Sequence, residues 1–182
     1  MANFWTTNNS EPKRNFRFKV QITGLGGDDI LWWAKTVTTP AFDVSEVEHN
    51  YLDNKFYFPG RVSWNEVSLT LVDPISVDAV ALTNKLVESQ GYVIPADPGD
   101  NVTMSKAKGP AALGAIKITI FNAEGAEVEV WQLNQPFIKS AKYGDLDYSS
   151  DDLRSVELSI RYDWATCETK TPSGNPGTFF QT

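Results

Sequence analysis

Residues Arg154 to Trp164, RSVELSIRYDW, decide the fold class. Val156, Leu158, Ile160, Tyr162 and Trp164 take every second position, and Ser155, Glu157, Ser159, Arg161 and Asp163 fill the gaps. Strict alternation over this span predicts one strand with a dry face and a wet face. A long strand close to the end of a chain raises a second question, because unpaired backbone at a sheet edge recruits other chains.

Outward from this stretch the same period recurs. In NFRFKVQI, Asn15 to Ile22, the side chains of Phe16, Phe18, Val20 and Ile22 share a face. GLGGDD, Gly24 to Asp29, reads as a turn, and a second strand over Ile30 to Val37 carries Trp32 and Trp33 and stops before Pro40. Phe42 to Tyr51 is extended, LDNKFYFPGR carries DN and PG turn signals, and NEVSLTLVD alternates again. Phe42 to Val72 therefore reads as strand, protruding hairpin or loop, strand. AIKITIF, the NAEG turn and AEVEVWQL form a hairpin, and PFIKSAKYG pairs with the opening stretch across DLDYSSDD.

One convincing helix interrupts the strands: SVDAVALTNKLVESQG, Ser76 to Gly91, with Ser76 at the N-cap, Gly91 at the stop, and Ala79, Leu82, Thr83 and Leu86 as the buried stripe. Tyr92 to Gly114 is a long Gly/Pro/Asp/Lys-rich loop, and after Trp164 the alternation ends. The expected fold is mainly β, an antiparallel sandwich or barrel with one packed helix. Residues 1–14 form an N-terminal arm, 15–165 the barrel domain and 166–182 an extended tail.

Composition narrows the function. The chain has 182 residues, with 16 Lys and Arg against 23 Asp and Glu, a formal charge of −7. That sign excludes a protein that grips nucleic acid by its phosphates, but it suits a surface that a polyanion must pass without sticking. No apolar run approaches the ~20 residues of a bilayer span, and the start MANFWTTNNSEPKRN shows no secretory signal. Cys167 is the only cysteine, which rules out an internal disulfide and fits a reducing compartment.

Catalytic constellations are missing. His49 is the only histidine and has no nucleophile motif near it; a Cys/His zinc site would have one residue of each kind. Nothing beside Cys167 lowers its pKa, and Glu168 acts the other way. Asp28-Asp29, Asp145 with Asp147, and Asp151-Asp152 read as solvated turn residues, with a calcium loop at DLDYSSDD as the alternative. GLGG lacks the strand-to-helix context of a dinucleotide site. Strand tryptophans read as core, whereas Trp5 and Trp64 are candidates for an interface.

Several segments in order carry a resemblance: NFRFKVQI, the proline-marked AKTVTTPAF, YLDNKFYFPGRVSWNEVSLTLVDP, one helix, and GAEVEVWQLNQPFIKSAKYGDLDYSSDDLRSVELSIRYDW. Asn54-Lys55, Gly60-Arg61 with Trp64, and the closing pair Tyr162 and Trp164 are its most specific parts. Over residues 15–164 the chain resembles the tail tube proteins of contractile-tailed bacteriophages of the large myovirus kind. The resemblance implies no enzymatic activity and no cofactor. It implies six-membered rings of this chain stacked into a hollow tube inside a contractile sheath, with sheath, baseplate and tail terminator proteins as partners. Phage DNA would pass through without specific binding, and the protein would reside in the virion tail after assembly in the host cytoplasm, without a membrane anchor. It points to Lys55, Phe56, Tyr57, Phe58 and Trp64 as inter-ring contacts, against the plainer reading that the aromatics close the barrel end. Glu127, Glu129, Glu157 and Asp163 are the candidates for lining the bore. Three alternatives stay open: a tube-initiating baseplate protein or the tube of a secretion or contractile injection system; a carbohydrate-binding β-sandwich using Trp64 or Trp5; and a hydrolase using loop carboxylates.

Overall fold

The computed structural model describes residues 12–25, 33–76, 78–170 and 177–181. In chain order the strands are β1 (Phe18–Ile22), β2 (Ala34–Val37), β3 (Phe42–Tyr51), β4 (Asn54–Trp64), β5 (Val67–Val72), β6 (Ile116–Phe121), β7 (Glu127–Asn134), β8 (Phe137–Lys142), β9 (Ser155–Arg161), β10 (Trp164–Thr169) and β11 (Gly177–Phe179). Helices α1 (Ala79–Ser89) and α2 (Lys108–Leu113) lie between β5 and β6. One antiparallel sheet has the order β1-β6-β7-β10-β11, and a second has β2-β5-β9-β8. Strands β3 and β4 pair only with each other. The mainly β, antiparallel expectation is met.

Alternation builds the core. Val67, Leu69 and Leu71 of β5 face Val156, Leu158 and Ile160 of β9 in register, and all are buried. Val20 and Ile22, Ile116 and Ile118, and Leu133 and Ala165 supply the opposing layer. Removing this apolar surface from water is the main stabilising term.

RSVELSIRYDW does not form a single strand. Strand β9 ends at Arg161, the chain turns at Tyr162 and Asp163, and Trp164 opens β10 in the other sheet. The buried phase slips by one residue there. Tyr162 stays inside, Trp164 is 44% exposed, and Ala165 and Cys167 take the inner positions. The slip lets one chain serve both sheets. Strand β9 is also no edge, since β5 and β8 flank it. The alternation continues to Thr169, so the expected tail boundary at residue 166 falls inside β10.

Other expectations shift in similar ways. Strand β1 starts at Phe18, and Phe16 is solvent-exposed with the Arg17 guanidinium over its ring. Strand β2 starts at Ala34; Trp5, Trp32 and the Asp28-Asp29 pair lie outside the described residues. Asp78, not Ser76, caps α1, accepting a 2.8 Å bond from the Ala81 amide. Gly91 stops it at φ +102°, and Ala79, Thr83 and Leu86 are its buried residues, with Leu82 packed beside them. The long loop contains a second helix. Pro110 sits in the first turn of α2, where its missing N–H has no partner to lose. Gly24 admits α2 closely, because a Cβ there would lie 1.9 Å from the Ala112 carbonyl oxygen.

Truncation of Leu158 removes a side chain filling the space between the two sheets. Leu158→Ala lowers stability by about 2–5 kcal/mol, read from urea or thermal unfolding. Glu157→Gln, on the wet face of the same strand, stays within about 0.5 kcal/mol.

Candidate assembly surface

Strands β3 and β4 form a ribbon joined by a two-residue turn at Leu52 and Asp53. Every residue of it is exposed except the half-buried Trp64. The ten residues of β3 at ~3.3 Å each give a reach of roughly 33 Å. The register explains its chemistry. His49 pairs with Phe56 and Val47 with Phe58, while Glu48 pairs with Tyr57 and Asn50 with Lys55. One face of the distal half thus carries Val47, His49, Tyr51, Phe56 and Phe58, and the other carries Glu46, Glu48, Asn50, Lys55 and Tyr57.

The expected PG turn is absent. Gly60 and Arg61 together face Ser45 in a β-bulge within the ladder. The Ser45 hydroxyl accepts from the Arg61 amide at 2.8 Å and donates to the Arg61 carbonyl at 3.3 Å. A Cβ on Gly60 would lie 2.3 Å from the Ser45 Oγ and 2.9 Å from its carbonyl oxygen. Below the bulge the apolar residues change sides. Phe42 pairs with Trp64 and Val44 with Val62, on the face that carries Glu46 and Glu48 further out. The proximal apolar side chains turn to their own body: Trp64 lies edge-on to Phe42 and Phe180 at 5.3 and 5.4 Å, and 6.0 Å from Tyr162. Among the described residues the distal ones have no partner of that kind, with Tyr51, Phe56 and Phe58 at 63, 49 and 57% exposure. At the apex, Leu52 is 85% exposed and holds φ +51°.

Four of the five predicted contact residues, Lys55, Phe56, Tyr57 and Phe58, sit together in the exposed half. The fifth, Trp64, is held at the root among aromatics of its own chain. Lys55 is ion-paired with Glu48 at 2.9 Å.

The outer face of β2-β5-β9-β8 is hydroxyl-rich. Ser68, Ser159 and Ser140 stand in one cross-strand row, and Thr36, Thr70, Glu157 and Lys142 in another. Glu66 gathers the nearby cations: Lys139 bonds to it, Arg161 lies 3.9 Å away, and the Ser159 hydroxyl donates at 2.7 Å. The bonds from Lys139 and then Ser159 hold the Glu66 carboxyl below the usual carboxylate range. Of the four carboxylates predicted to line a bore, only Glu157 is on this face. Glu127 and Glu129 belong to β7 in the other sheet, bonded to Lys170 and Lys13 respectively. Asp163 sits at the β9–β10 corner with Lys106 at 2.6 Å. The structure does not bring the four together, because they lie on β7, on β9 and at the β9–β10 corner.

The sequence-predicted polar candidates lie apart from one another among the described residues. His49 lies mid-ribbon, cross-strand from Phe56. Burial pushes the Cys167 thiol up, and the nearby Glu129 carboxylate adds to the effect. In DLDYSSDD, Asp147 accepts from the Ser149 amide and hydroxyl, and Asp152 accepts from the Ser150 hydroxyl. Among the described residues no group of three or more His, Cys, Asp or Glu side chains is placed to hold a metal ion, and no helix is long and apolar enough to cross a membrane.

Sequence comparison finds no matching family model and no matching curated protein. Structure comparison does find matches. A chain of the sheath/tube terminator of an extracellular contractile injection system, PVC, in the extended state, superposes with a TM-score of 0.65 at 16% identity, covering 88% of this chain and 99% of that one. The tube-terminating cap of the anti-feeding prophage gives 0.63 at 16%, covering 93% and 100%. A chain of the PVC sheath–tube complex gives 0.60 at 16%, covering 89% and 95%. The chain shares the fold of these components of contractile injection systems.

Two measurements test this surface. Gly60→Val drives a side chain into Ser45, so amide exchange of Ser45 and Arg61 accelerates about tenfold or more while Leu158 keeps its protection. Cys167 in the native protein alkylates far more slowly at pH 7.5 than in the urea-unfolded chain, because burial disfavours its thiolate.

Proposed function

We propose that the chain is a structural tail tube subunit of a contractile-tailed bacteriophage, without enzymatic activity. Six copies close a ring, rings stack into the tube, and DNA passes through the bore. One observation carries the reading: a fold shared with contractile injection system components extends a ribbon whose outer half exposes aromatics that no described residue covers. A monomeric protein seldom leaves such a contiguous apolar surface in water.

The sheet edges support the lateral step. Strands β2 and β8 bound the same sheet, so edge-to-edge pairing between copies extends it into a closed barrel and satisfies both rows of backbone groups. In that arrangement the hydroxyl-rich face of β5 and β9 lines the channel. Its charges, Glu66 and Glu157 with Lys139, Lys142 and Arg161, mix both signs, so the wall offers DNA no strong field of either sign. The partners are the sheath, the baseplate and the terminator, and the location is the virion tail after assembly in the host cytoplasm.

A second reading is a ring that ends or begins a tube, favoured by the likenesses to a terminator and a cap. A tube subunit grows rods of unlimited length, whereas a terminator or initiator stops at one or a few rings.

Negative-stain microscopy of the purified full-length chain separates these outcomes. Hollow rods are expected, and single rings move the protein to the second reading. Phe56→Ser combined with Tyr57→Ser leaves a folded protein by circular dichroism and removes the rods. A wild-type chain that stays monomeric at every concentration and salt overturns both readings. Rods from the double variant overturn the stacking role of the ribbon.

A further inference from the structure

The ribbon needs a receiving surface, and the described fold contains one of matching chemistry. An open groove of about 870 Å³ runs between the edge strands β1 and β2. Phe18, Ile118 and Ile120 from one sheet and Val37 from the other form its apolar part, and Lys13, Arg14 and Lys35 line it, Lys13 being already bonded to Glu129. The distal ribbon has the complementary set: an apolar face of Val47, Tyr51, Phe56 and Phe58, Asp53 at the apex, and Glu46 and Glu48 on the opposite face with the one cation Lys55.

We propose that the outer half of the ribbon of one copy seats in the β1/β2 groove of a second copy of this chain. The inference rests on the tube reading and deepens it by naming the acceptor. Apolar side chains meet apolar lining while Asp53 at the apex meets the basic rim, and the carboxylates Glu46 and Glu48 of the opposite face add to the charge that steers the approach.

Two further observations bear on it. The first is the apex residue. Position 52 sits at positive φ, where glycine or asparagine is favoured and a leucine is strained. An 85% exposed leucine there does nothing for the isolated ribbon. Its side chain gains an environment only when another surface covers it. The second is position along the chain. Thr38 and Thr39 line the groove, and Phe42 begins the ribbon. Donor and acceptor therefore share a root, and seating the tip in another copy offsets the two by about the ribbon's reach, roughly 30 Å. Donor and acceptor surfaces differ, so the contact is head-to-tail and repeats without closing, which produces a stack rather than a dimer.

The experiment is crosslinking in the full-length chain. In a Cys167→Ser background, Phe58→Cys and Val37→Cys are combined and the protein is oxidised after assembly. A ladder of disulfide-linked oligomers on a non-reducing gel is expected from the pair and from neither single variant. A control pair, Phe58→Cys with Thr166→Cys on the other sheet, gives no ladder. Arg14→Glu with Lys35→Glu lowers rod yield at least tenfold while the monomer stays folded, and adding Glu46→Lys with Asp53→Lys restores it. Leu52→Asn leaves monomer stability equal or higher and still weakens assembly. Wild-type rods combined with a ladder from the control pair, or with charge-reversed chains that still stack, overturn the groove as acceptor and leave the tube reading intact. A wild-type chain that never assembles overturns both.

Discussion

Parity governs this molecule. Side chains on a strand alternate, so one residue gained or lost exchanges the two faces of everything beyond it. The chain makes that exchange at two decisive places. At Tyr162 to Trp164 the slip carries the chain from the hydroxyl-faced sheet into its neighbour, which puts Ala165 rather than Trp164 inside. At Ser45, facing Gly60 and Arg61, the extra residue turns the ribbon's apolar face from its own body towards the outside. The first exchange joins the two layers of the core, and the second creates a surface for something else.

The remaining features follow from how unpaired groups are managed. Several acidic side chains on or beside the strands are tied to local cations, Glu127 to Lys170, Glu129 to Lys13 and Glu66 to Lys139 and Arg161. Surface pairs of this kind contribute little stability one by one. Here they set the electrostatic texture of each face. Among the described residues the strand edges β2 and β8 have no such local solution, and in the proposed ring another copy completes the sheet there.

Much of this was readable in the sequence. The core positions of β5, β6 and β9 follow from period-two alternation, and α1 from its caps and stripe. The exposed cluster at Lys55 to Phe58 was legible because three consecutive aromatics cannot all face one core. What was not legible depended on phase. Nothing in YDW marks a crossing between sheets, because an uninterrupted alternation and a slipped one look alike until the partners of Ala165 are known. Pro59-Gly60 has the composition of a turn, yet its glycine serves a close approach to Ser45. Helix α2 hid in a Gly/Pro-rich stretch too short for a helical period. The ion pairs of Glu127, Glu129 and Asp163 were not legible, because partners as distant in sequence as Lys170, Lys13 and Lys106 are invisible to local reading.

The ribbon's isolation has a kinetic consequence. Two strands without a third neighbour are marginal in water and become firm only against another surface. In a polymer built as proposed, an incoming subunit therefore has to freeze its arm as it binds, and that ordering cost falls hardest on the first few encounters. Spontaneous initiation would be slow and extension from an existing end fast, so the length of the assembly would be set by whatever supplies the first template rather than by the concentration of subunits alone.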